Sequence, residues 1–223
     1  RVRNCVAAAK PYLNSELASE LRQVEFPVQF LDFETFNPAL PLYIGTRPYQ
    51  IVPFQWSLHI RDGSGQLRHE SFLHDGTGDP REAFVTSLLD AILPEGSIVV
   101  YSSYEQTIIK QLAEIFPEHE GRLLALCDRL FDLLKLLRKN YYHPEFHGSY
   151  SIKSVLPALV PEMSYGDLEI QDGSVASVAF ARMIAADTPK PERVKIQGAL
   201  LAYCQRDTEA MVRVFDTLHS VSG

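Results

Sequence analysis

The stretch VQFLDFETF, residues 28–36, decides the fold. It is short, apolar and aromatic and follows Pro27, which predicts a strand. Side chains alternate across a strand, so Asp32 and Glu34 share one face while Leu31 and Phe33 turn the other way, into a core. Two carboxylates on one face among apolar residues repel each other and are costly to bury. A hard divalent cation, which prefers oxygen ligands, removes that cost. The same spacing also arises where a strand simply ends at a solvent edge, so the pair alone does not identify a site.

Outward from this strand, residues 1–26 read as helical, with SELASELRQVEF (15–26) carrying apolar residues at helical spacing until Pro27. Residues 38–53, rich in Pro, Gly and Tyr, read as a loop. FQWSLHIRD (54–62) and QLRHESFLH (66–74) alternate on either side of GSG and predict a hairpin. A helix follows over 80–93, then a buried strand in GSIVVYS (96–102) and an amphipathic helix in YEQTIIKQLAEIF (104–116), stopped by Pro117. RLFDLLKLLRK (129–139) reads as a strand running into a helix. SIKSVLPALV (151–160), SVASVAFARMIAA (174–186) and residues 192–218 read as helices. An antiparallel start followed by α/β alternation predicts a mixed sheet with helices on both faces.

At 223 residues, 46% of them hydrophobic, the chain suffices for one substantial core. Residues 27–223 are expected to form that domain, and 1–26 a helical segment or linker from a longer chain, since the sequence begins at Arg1 without an initiator Met. No run approaches the roughly eighteen apolar residues of a membrane span, and the start RVRNCVAAAKPYLN has no signal-peptide core. Cys5, Cys127 and Cys204 are widely spaced and form no C-x-x-C pair, which favours a reducing, cytoplasmic setting over disulfides or a thiolate zinc site. The net charge of −7 disfavours an open nucleic-acid groove. Two bound divalent cations, adding four positive charges, would leave −3, which a pocket for one strand end tolerates.

Two further acids stand out. In IVVYSSYEQTIIKQL (98–112), Glu105 falls just past a strand, in the first turn of a helix. Acids are favoured there by capping and the helix dipole, but strand ends in α/β sheets are also where ligands gather. In AYCQRDTEAMV (202–212), Tyr203 and Asp207 are one helical turn apart, on the face that carries Leu200, Ala210, Met211 and Val214. An Asp facing a core needs a partner; pairing with Arg206 or Arg213 is the structural alternative to a metal.

In chain order these elements resemble the DEDD superfamily of 3′→5′ exonucleases. LDFETF is similar to its first motif, YSSYE to its second and YCQRD to its third, in the tyrosine form Tyr-x-x-x-Asp; Ala202 stands where the histidine form would place His. The chain also resembles a bacterial family filed as a domain of unknown function and predicted to be an exonuclease, through FDLLKLLRKNYYHPEFHGSYSIKSVLPAL (131–159). The second motif departs from the superfamily, with Glu105 for the usual Asp, and Tyr101 and Ser102 where an Asn is usual.

The resemblance implies a ribonuclease-H-like α/β fold and a two-metal mechanism on Mg²⁺ or Mn²⁺. It implies Asp32, Glu34, Glu105 and Asp207 as ligands, Asp32 bridging and Glu105 assisting through water, with Tyr203 orienting the attacking water. The partner would be single-stranded nucleic acid or a 3′ end, and an upstream RecB-like nuclease domain would share a longer chain. Thr35 and Phe36 are candidates for the terminal nucleotide, Phe36 by stacking or, equally, as a core residue. Lys153 ends a basic and aromatic run from Lys135 through Arg138, Lys139, Tyr141, Tyr142, His143 and His147 that would track phosphates. Asp132 is expected to cap a helix. The alternative function is a catalytically weakened module of the same fold that binds nucleic acid or a partner domain.

Overall fold

Strand β2 (Val28–Phe36) is the centre of a five-stranded mixed sheet in a computed structural model that describes residues 2–223. It pairs antiparallel with β3 (Val52–Arg61), which pairs antiparallel with β4 (Leu67–Leu73); on its other side run β5 (Ile98–Val100) and β6 (Leu130–Asp132), both parallel. The order β4-β3-β2-β5-β6 is consistent with the ribonuclease-H-like α/β architecture. A separate two-stranded ladder joins β1 (Tyr12–Leu13) to β7 (Tyr141–Tyr142).

The alternation of β2 builds a separate core on each face of the sheet. Leu31 and Phe33 pack with Trp56, Leu58 and Ile60 against α3 (Pro80–Ala91), α4 (Tyr104–Ile115) and α5 (Glu120–Cys127). Val28, Phe30 and Phe36 pack on the other face against α2 (Leu17–Leu21), α6 (Leu133–Asn140), α7 (Ile152–Leu159), α8 (Gly173–Ile184) and α9 (Lys190–Ser222). Asp32 and Glu34 belong to this second face, under α9.

What docks α9 is polar. In the register, Ser57 lies opposite Asp32 and Gln55 opposite Glu34. The Gln55 amide donates to the Leu200 carbonyl at 2.9 Å, and Ser57 Oγ lies 2.7 Å from Thr208 Oγ1, which is also 2.7 Å from His59 Nδ1. Buried polar groups hold position only where their partners meet them, so these bonds fix the helix along its axis. Thr208 is thereby locked beside Asp207. A register shift between Glu34 and Thr35 lets both Phe54 and Gln55 of β3 reach this layer: Phe54 stacks on Phe180 with centroids 3.8 Å apart. Pro53 sits at the irregularity, where its missing N–H costs no ladder bond.

Some elements differ from the sequence expectation. The segment before Pro27 is helical only over α1 (Val2–Ala8) and α2, because Ala9 turns left-handed and Pro11 cannot continue a helix; Tyr12 and Leu13 then add to β7. Arg1 lies outside the described residues. Strand β3 begins at Val52, inside the stretch expected as a loop, and the short helix α5 was not foreseen. Asp132 caps α6 as expected, accepting from the Lys135 amide at 2.8 Å.

The N-terminal segment contributes Cys5, Leu17 and Leu21 to the α9-side core. Leu17 is fully buried, so Leu17→Ala should cost about 2–5 kcal/mol through lost burial and the cavity left behind. Urea unfolding of the two proteins checks this; a difference under about 0.5 kcal/mol, the size of an ordinary surface change, would detach the segment from the cooperative unit.

Candidate metal centre

Three separate pieces of chain bring four carboxylates together. Strand β2 supplies Asp32 and Glu34, the first turn of α4 supplies Glu105, and α9 supplies Asp207. Glu34, Glu105 and Asp207 are more than nine-tenths buried, whereas Asp32 keeps a partial opening to solvent. All four hold their protons above the ordinary carboxylate range. For Asp32 the largest cause is burial, followed by the charges of Asp207, Glu34 and Glu105; for Glu34 it is burial and then Asp207. Burial pushes Glu105 up to about 8, with Asp132 and Asp207 adding repulsion, and Asp207 up to about 6. Among the described residues, the buried Oε2 of Glu105 has no hydrogen-bond partner.

Neither arginine expected to neutralise Asp207 does so. Arg206 turns to Asp167 and Arg213 to Glu162. The Asp207 partners are instead Tyr165, whose hydroxyl donates to Oδ1 at 2.6 Å, and Tyr203. Lys153 Nζ lies 3.3 Å from the Tyr203 hydroxyl and over both phenol rings, 5.6 Å from the Tyr165 centroid and 5.3 Å from that of Tyr203. Its charge favours the ionised forms of Glu34 and Asp207. Burial and the acids raise the phenols of Tyr165 and Tyr203 far above the ordinary tyrosine range, so both stay protonated.

Lys153 therefore sits within the centre, but the basic run it ends does not form a continuous track. Tyr141 and Tyr142 are core residues, Lys139 is bound between Glu16 and Glu20, and His147 pairs with Glu145. Phe36 corrects a second expectation. It is 2% exposed, packed edge-on against Tyr43, Phe54 and Phe180, and cannot stack on a nucleotide base. The unbroken alternation of β2 puts Phe36 on the α8 side while Thr35 faces α4, and the extra residue of the irregularity, Phe54 of β3, packs against Phe36. Thr35 is half-buried at the rim, its hydroxyl 2.6 Å from that of Tyr104. Tyr101, in the place of the usual Asn, bonds the Tyr150 carbonyl instead.

Two members of the centre were not read from sequence. Tyr165 lies in the irregular connection between α7 and α8, where no periodicity marks a buried face. Cys204 lies with its Sγ 3.6 Å from Asp32 Oδ2, and one donor atom each from Asp32, Glu34 and Cys204 falls within a 4.8 Å span. Burial and the nearby acids push the Cys204 thiol up, so it is held protonated against Asp32. The donor set is otherwise oxygen, dense in negative charge and short of hydrogen-bond donors. That set fits hard divalent cations, with Asp32, Glu34, Asp207 and Glu105 as the residues that would hold them.

The family described as "Domain of unknown function (DUF2779)" matches residues 29–151. Among curated proteins, the chain is 26% identical to "Uncharacterized protein UU173" of Ureaplasma parvum over 208 residues, covering 83% of this chain and 30% of that protein. It is 26% identical to "Uncharacterized protein MG366" of Mycoplasma genitalium over 207 residues, covering 83% of this chain and 31% of that one. The chain thus spans under a third of the length of these relatives. Among the described residues, no helix is long and apolar enough to cross a membrane.

The raised acids make stability without metal depend on pH. Glu105, ordinarily near 4.5, is held at about 8 in the fold, so folding favours its protonated form. That contribution is complete below pH 4.5 and is lost as pH rises through 8. His59, buried and lowered to about 4 from 6.5, acts in the opposite sense, but its contribution is already complete above pH 6.5. In EDTA, Tm should therefore fall between pH 6.5 and 8; Glu105→Gln should flatten the fall, and Mn²⁺ should offset it. A wild-type Tm that stays level across that window in EDTA would contradict the assignment of Glu105 to a crowded acidic centre.

Proposed function

This chain belongs to the family described as a domain of unknown function, DUF2779, and we propose that it is a metal-dependent 3′→5′ exonuclease of the tyrosine-form DEDD kind, releasing nucleoside 5′-monophosphates from DNA or RNA ends. The observation that carries this reading is the grouping of Asp32, Glu34, Glu105 and Asp207 in one largely buried acidic cluster, with a Glu105 oxygen left without a hydrogen-bond partner among the described residues. Two divalent cations, Mg²⁺ or Mn²⁺, would supply a nucleophile at neutral pH and relief of charge on the leaving oxygen.

The remaining work falls to the chain's own side chains. Tyr203, held protonated one helical turn from Asp207, orients the attacking water through its hydroxyl and is not the base. Lys153, fixed over two phenol rings, presents a cation to the scissile phosphate. Thr35, at the half-buried rim, meets the terminal nucleotide. The partial opening at Asp32 suits one strand end rather than a duplex lying in a groove, in keeping with the net charge of −7. An upstream nuclease domain in the same longer chain is part of this proposal, as is a cytoplasmic setting, which three free cysteines support.

Two observations favour a second reading, a catalytically weakened module that binds nucleic acid or a partner domain. Glu105 is one methylene longer than the usual Asp, and Tyr101 is committed to Tyr150.

Cleavage of 3′-labelled and 5′-labelled single-stranded DNA and RNA, with Mg²⁺ or Mn²⁺ and with EDTA, separates the two. Mononucleotide release from the 3′ end that EDTA abolishes is the expected result, and Asp32→Asn should abolish it while leaving the fold intact. Tyr203→Phe should lower kcat by about 10²–10⁴, the usual range for a group that positions or transfers a proton. Binding without cleavage under every metal condition would leave the weakened module as the answer.

A further inference from the structure

We propose that Tyr165 is a positioning residue that fixes the orientation of the Asp207 carboxylate for metal binding. The proposal rests on the reading of Asp207 as a ligand. It adds a residue that the tyrosine motif on α9 does not contain.

Tyr165 belongs to the connection between α7 and α8, without helix or strand geometry around it, yet it is only 8% exposed. A loop side chain needs an outside force to stay buried, and α9 supplies it. Arg206, immediately before Asp207, grips Asp167 with both guanidinium nitrogens, at 3.0 and 2.9 Å, and bonds the Ser164 carbonyl. Arg213 holds Glu162 at 2.6 Å. The helix that carries Asp207 thus clamps the segment on both sides of Tyr165. A fork of this kind is bidentate and directional.

The clamp sets one contact. The Tyr165 hydroxyl donates to Asp207 Oδ1 at 2.6 Å, within the range of charge-assisted O–H···O⁻ bonds. With Oδ1 engaged by Tyr165 and Tyr203 acting as a second phenol donor, the carboxylate is held in one orientation toward the centre. The ring has a separate duty. It stands 6.2 Å from the Tyr203 ring and 5.6 Å from the Lys153 ammonium. Ring and hydroxyl can therefore be separated by substitution: Phe keeps the ring contacts and removes only the bond to Asp207.

A hydrogen-bonded partner of a ligating carboxylate is commonly worth about 10–100-fold in metal affinity. Mn²⁺ binding by the 223-residue chain, measured by titration calorimetry, should weaken by that factor in Tyr165→Phe, while Tm in EDTA stays close to wild type. In cleavage assays the loss should fall on kcat at saturating Mn²⁺, with KM for nucleic acid little changed. Asp167→Ala, which removes the Arg206 grip without touching the centre, should weaken Mn²⁺ in the same direction by less; it serves as the test should Tyr165→Phe fail to fold. Wild-type Mn²⁺ affinity in the variant tested overturns the proposal, and so does wild-type affinity in Asp207→Asn. If the wild type binds Mn²⁺ and Tyr165→Phe weakens it, but no nucleic acid is cut, the exonuclease reading fails and the role of Tyr165 stands.

Discussion

The burial of four neighbouring carboxylates is the constraint around which this fold is arranged. Asp32, Glu34, Glu105 and Asp207 all carry raised proton affinities, with burial as the largest cause in each case. The compensation is uneven. On the α9 side, Asp207 has two phenol donors and a share of Lys153, and Glu34 has the other share. On the α4 side, among the described residues, Glu105 has backbone help, and one of its oxygens has no partner. The demand for positive charge is therefore greatest between β2 and α4, at the edge where Asp32 opens to solvent.

Holding like charges together requires a stiff frame. The sheet provides it through polar bonds from β3 to α9. Gln55 and Ser57, directly across from Glu34 and Asp32, do not contact a ligand; they bind the helix that brings the fourth acid. A purely apolar seam between β3 and α9 would be as well buried but free to slide by a turn. Thr208, between Ser57 and His59, fixes the axial position of Asp207. The irregularity opposite Glu34 and Thr35 adds Phe54 to the same layer of β3, where it stacks on Phe180 beside Phe36.

Much of this was legible in the sequence because it is written in local periodicity. The two-residue alternation of VQFLDFETF placed Leu31 and Phe33 on one face and the acids on the other, and the four-residue step from Tyr203 to Asp207 placed both on the buried side of α9. What the sequence withheld depends on distant partners. Tyr165 sits in an irregular segment, and only the reach of Arg206 across to Asp167 brings it over Asp207. Phe36 continues the alternation of its strand, and nothing local tells whether Phe54 and Phe180 will enclose it. The basic run from Lys135 to Lys153 has the composition of a phosphate track, but β7 takes its tyrosines into the core and α2 takes Lys139. Charge and aromaticity in a sequence name what a residue can do, whereas topology decides which of its options is used.

The departure at Glu105 bears on what the centre is for. If the pocket had no cation to hold, four buried acids would only subtract from stability, and replacing any one by its amide would relieve both desolvation and repulsion. The fold shows no sign of such relief. Arg206 and Arg213, near Asp207 in sequence, are both spent on the connection between α7 and α8 and not on the acids. Among the described residues, Lys153 is the cation that acts on Glu34 and Asp207, one positive charge beside four acids, and it lies over two phenol rings. A longer Glu at the α4 position changes the reach of one donor by a methylene and leaves the charge deficit intact. That deficit, together with the oxygen donors that create it, is what a pair of divalent cations would fill, and it is why the exonuclease reading outweighs that of a module with no chemistry of its own.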